Sequence, residues 1–72
     1  MLTKQQIADA LTQTSCEYIE IYMQIFKKDF DKQILAGLHC GFIAAMKLNG
    51  YKDKDLDGAL EIAQKQIEEQ FQ

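Results

Sequence analysis

The 72-residue chain has no arginine, no proline, no tryptophan and no valine, and it has only two cysteines and one histidine. Arginine carries most bidentate recognition of phosphates and base edges. The eight lysines are scattered rather than gathered into a basic patch, so direct nucleic-acid binding is not expected. A net charge of −3 is too mild to argue for a nucleic-acid mimic. Without proline, nothing in the chain interrupts a long helix. Cys16 and Cys40 lack the spacing of a disulfide framework, and no basic, apolar, small-residue leader opens the chain. No apolar run approaches the roughly 18 residues of a membrane span. The expectation is a reduced, cytoplasmic protein that does not enter membranes.

Catalytic constellations are missing as well. There is no glycine-rich phosphate loop, no Ser–His–Asp ordering and no pair of buried carboxylates. His39 and Cys40 are the one place where two reactive side chains meet. Neighbours on a helix point about 100° apart, and a Cys–His nucleophile needs a third, orienting group. A zinc site needs about four ligands with paired spacing, which the chain lacks. Both residues therefore read as structural, with Cys40 as a small buried hydrophobe. No enzyme and no resident cofactor are expected.

What the chain does have is apolar helix. Between Tyr18 and Phe26, seven of nine side chains are large and apolar. On a helical wheel the polar positions Glu17, Glu20, Gln24, Lys27 and Lys28 share one arc of roughly 100°, leaving the rest of the circumference apolar. Three helices account for the sequence. The first opens at Thr3, which with Gln6 has capping-box spacing, and runs to about residue 28 through Ile7, Leu11, Tyr18, Ile21 and Ile25. Thr14 interrupts that series and with Glu17 offers a second capping box, so a break there is the alternative to one continuous helix. The alternation of residues 18–26 also has the period of a strand, but no second strand is visible to pair with it.

The second helix is expected from about Asp31 to Leu48, with Asp29 or Asp31 as its cap and Asn49-Gly50 as its stop. Its apolar face is Ile34, Leu35, Leu38, Phe42, Ala45 and Met46. The third starts near Asp53 or Asp55 and carries a stripe of Leu56, Leu60, Ala63, Ile67 and Phe71 before a tail, residues 68–72, that is expected to fray.

A domain of this size buries only about 60% of the surface of its unfolded chain. Such domains usually need a staple, and with disulfides disfavoured the remaining staple is a second copy. The reading is a single domain over residues 1–72, an all-α bundle of about three helices completed by homo-oligomerisation, a dimer first. Its interface is expected at Tyr18, Tyr22, Met23 and Phe26 and at the small-residue series Gly37, Gly41 and Ala45, which suits close helix crossing. Packing of that series against the first helix of the same chain is the plainer alternative. The function expected is a non-catalytic interaction module that inhibits, adapts or regulates a larger protein. Small accessory proteins of phages and mobile elements look like this too.

The second functional reading is ligand binding. Asp53, Asp55, Asp57 and Gly58 occupy the first, third, fifth and sixth positions of a run that resembles the calcium loop of an EF-hand. Leu60 fills the apolar eighth position, but Gln64 stands where the bidentate glutamate belongs. A pocket between subunits for a small molecule such as a nucleotide is the other form of this reading.

Overall fold

The computed structural model describes residues 2–71. Three helices follow one another: α1, Lys4–Phe26; α2, Lys32–Leu48; and α3, Asp53–Gln70. The described residues hold no strand. The capping box at the start of α1 forms as the spacing predicts. Gln6 N–H donates to Thr3 Oγ1 at 3.1 Å, and Thr3 N–H donates to the Gln6 side chain at 2.9 Å. α1 then passes through Thr14 without a break and ends at Lys27, whose φ of 52° lies in the left-handed region. At α2 the cap is Asp31, which accepts from Gln33 N–H at 2.7 Å. Gly50, with φ of 95°, turns the chain after α2.

The topology is up-down-up. α1 and α3 run parallel, as Gln66 donating to Thr12 Oγ1 at 2.8 Å and the Lys4 stem lying against Gly58 together require. α2 runs antiparallel to both, tied to α3 near its ends by Lys32–Glu68 at 3.5 Å and Lys47–Asp53 at 2.6 Å. These ion pairs are largely exposed and contribute little, roughly 0–1 kcal/mol each.

The core is concentrated in the seam between α1 and α3. Ile7, Ala8, Leu11, Cys16 and Ile19 of α1 meet Leu56, Ala59, Ala63 and Ile67 of α3, and Leu35 is the one fully apolar core residue that α2 supplies. Ala8, Ser15, Ala59 and Ala63 have no exposed surface, and their small size lets the two helices approach closely. Close packing by small residues does occur within this chain, but here rather than along α2. At the bottom of the bundle Phe71 stacks on Phe30, with centroids 5.1 Å apart and planes within 10°. Residues 68–70, in the tail expected to fray, are helical, and Phe71 is stacked; Gln72 lies outside the described residues.

The apolar series Ile7, Leu11, Tyr18, Ile21, Ile25 divides between core and surface, and the reading of Cys40 as buried needs correction. Ile7 and Leu11 are buried, whereas Tyr18, Ile21 and Ile25 are more than half exposed. A heptad-like series drifts about 20° per seven residues on a straight helix, and Ala8, Ser15 and Ile19 hold the face toward α3 instead. Cys40 is not buried either. It is exposed, and Cys16 is the buried thiol.

Candidate interaction surface

α2 has two very different faces. From Ile34 to Met46 it contains no charged side chain. Leu35 and His39 are its buried residues, with Ile34, Leu38, Phe42, Ile43 and Met46 partly covered. The opposite face consists of Ala36, Gly37, Cys40, Gly41, Ala44 and Ala45, all exposed. A Cβ added at Gly37 or Gly41 would meet nothing within 4 Å. The plainer alternative, in which these glycines accommodate the first helix of the same chain, is therefore not what the structure shows. Each mid-helix glycine costs up to about 1 kcal/mol against alanine, and no contact inside the chain offsets that cost.

The second half of α1 borders this face. Tyr18 (54%), Ile21 (53%), Ile25 (66%) and Phe26 (57%) are exposed, and Tyr22 and Met23 are half-buried. Tyr22 and Phe26 lie 4.7 Å apart by centroid, and Tyr18 lies 6.3 Å from Phe42 on α2. Toward the start of α1 the same seam continues as an apolar cleft of about 180 Å³ lined by Leu2, Ile7, Ala10, Leu11, Thr14, Phe42, Ala45 and Met46. Toward its end lies an open cleft of about 450 Å³ where Tyr22, Ile34, Gly37 and Leu38 meet the polar turn at Lys28, Asp29 and Asp31. Of the site residues expected on α1, Tyr18 and Phe26 are exposed and Tyr22 shares a cleft with Gly37, whereas Met23 packs against the core; Ile21 and Ile25 are further exposed apolar side chains of the same half of α1.

The aspartates take another arrangement. Asp53, Asp55 and Asp57 lie in the opening turns of α3, not in a loop. Asp53 pairs with Lys47, and the Asp55 carboxylate accepts from Lys52 N–H at 3.0 Å. Alternate residues on a helix point about 200° apart. Among the described residues, accordingly, no three His, Cys, Asp or Glu side chains gather as a metal would require. The first three ligands of a calcium loop must converge from a non-helical turn. Millimolar calcium is expected to leave the melting temperature of this protein unchanged; stoichiometric binding heat in calorimetry would contradict that.

His39 is buried between α2 and α1, with its Nε2 3.5 Å from the fully buried Ser15 hydroxyl and its ring 6.5 Å from that of Phe42. Burial pushes its pKa below the usual histidine value. Burial, and secondarily Glu20, push the Cys16 thiol up, so Cys16 is held as the unreactive thiol form. No buried side-chain polar atom among the described residues lacks a partner.

No family model matches the chain, and neither a curated protein nor a solved structure is significantly similar to it. No helix among the described residues is long and apolar enough to cross a membrane.

Proposed function

We propose that the protein is a non-catalytic helical interaction module that assembles with itself, a dimer first, through the outer face of α2 and the adjoining half of α1. In that form it presents a rigid helical surface to a larger protein as an inhibitor, adaptor or regulator. The observation that carries this reading is the most apolar helix of the three turning a face of Ala, Gly and Cys to solvent. Next to that face stand Tyr18, Ile21 and Ile25, large side chains left uncovered.

Two further features support it. One face holds both bulky residues and small-residue hollows, as a two-fold, self-complementary interface requires. The accessible surface is 5107 Å², whereas a compact monomer of 8.3 kDa exposes about 4,600 Å². The excess is a substantial part of the roughly 800 Å² that each partner buries in an ordinary stable interface.

Cys40 reports on this face, and Cys16 serves as an internal reference. In dilute protein Cys40 is expected to react with a maleimide at the rate of a free thiol, while Cys16 reacts only on unfolding. As concentration rises, Cys40 labelling is expected to slow by an order of magnitude or more as the face is covered. A Cys40 rate independent of concentration up to the millimolar range would contradict assembly through α2.

A further inference from the structure

α2 is held to the other two helices by little polar structure. Among the described residues its side-chain ties are the ion pairs Lys32–Glu68 and Lys47–Asp53 near its ends and, between them, His39 against Ser15. Three of the four ion-paired side chains are exposed and Glu68 is half-buried, whereas the histidine is buried. Ser15 is itself fully buried on the α1 face that packs against α3. A ring at this place sits where α2 meets the α1–α3 seam.

We propose that His39 is a proton-operated latch on α2: when the ring takes up a proton, α2 loosens on the α1–α3 pair ahead of the rest of the fold. The inference does not rest on self-assembly; it concerns how α2 is seated within one chain.

The surroundings favour the neutral ring from every side. From α1 the neighbour is the Ser15 hydroxyl, which can donate to or accept from a neutral imidazole. The next residue of α1, Cys16, points about 100° away and is kept protonated by burial, and Glu20 is exposed. On α2 the neighbours are the Phe42 ring and Cys40, which faces solvent. On α3 between the two ion pairs, the charged side chains are Lys54, Asp55, Asp57, Glu61 and Lys65; Asp55 is half-buried and the other four are exposed. No carboxylate offsets the burial that opposes protonation.

The sign follows from linkage. The folded ring has a lower pKa than the unfolded one, so the unfolded or opened state binds the proton first. The contribution of His39 to holding α2 is complete above the ordinary value of 6.5 and is lost as the pH falls below it toward the folded value.

The test is amide hydrogen exchange, corrected for intrinsic rates, between about pH 7.5 and about pH 5. Protection over residues 35–46 is expected to fall about tenfold for each unit between the two pKa values, with smaller losses over residues 8–19 and 56–67. In His39→Gln, neutral at every pH, the acid-dependent difference between α2 and the other helices is expected to vanish. Equal losses in all three helices of the native chain, or an unchanged difference in His39→Gln, would overturn the latch. Should His39→Gln fail to fold, an NMR titration of His39 in the native chain decides. A pKa below 6.5, with amide shifts concentrated in α2, supports the latch. An ordinary or raised pKa overturns it.

Discussion

Leu56→Ala is expected to bring the domain close to unfolding. Leu56 is 1% exposed and sits in the α1–α3 seam with Ile7, Ile19 and Ile67. Truncating a buried leucine costs about 2–5 kcal/mol, from lost transfer energy and the cavity left behind. A chain of 72 residues has a total stability of only about 4–11 kcal/mol at ordinary values per residue. Urea unfolding of dilute protein should therefore show a midpoint reduced by about a fifth or more, or no cooperative transition at all. Ile25→Ala is the paired control. Its side chain is 66% exposed, and its effect on the dilute chain is expected to stay within about 0.5 kcal/mol. Equal losses at the two positions would mean that the core is not where the α1–α3 seam places it.

Gly41→Leu should separate folding from assembly. The position is helical, exposed and open, with nothing within 4 Å of an added Cβ. Leucine is the better helix former by up to about 1 kcal/mol, so the isolated chain is expected to melt at the same temperature or higher. Self-association is expected to weaken by at least about tenfold, since a bulky side chain on a face of small residues costs 1.4 kcal/mol or more when that face must be approached closely. A variant that unfolds would show that the face is packed within the chain. One that associates as the native chain does would show that α2 crosses nothing at Gly41.

The fold was largely readable because the local signals agree with one another. Thr3 and Gln6 mark a start, Asp31 caps α2, Gly50 ends it, and Leu56, Ala63 and Ile67 repeat at helical spacing. What could not be read is how the faces pair. Hydrophobic periodicity locates an apolar stripe but says nothing about which neighbour covers it. Tyr18, Ile21 and Ile25 look like core by composition, yet they lie outside because α3 packs on the Ala8, Ser15 and Ile19 side of α1. The signal for that choice was present in small residues, Ala8 seven positions before Ser15 and Ala59 four before Ala63. Gly37 and Gly41 are the more conspicuous departures from helix propensity, yet they lie on the exposed face of α2.

In the acidic run two local patterns share the same residues. Asp53, Asp55, Asp57 and Gly58 satisfy half of a calcium-loop spacing, but the same aspartates favour the positive end of a helix dipole. Leu56 must also be helical to reach the core. Burial of Leu56 outweighs a loop whose last ligand, at Gln64, is not a carboxylate.

Sedimentation equilibrium of the native chain across micromolar to millimolar concentration tests self-assembly most directly. A mass that rises from 8.3 kDa to twice that value or beyond, reversibly with concentration, is the predicted result. A mass that stays at that of the single chain throughout the range would contradict it.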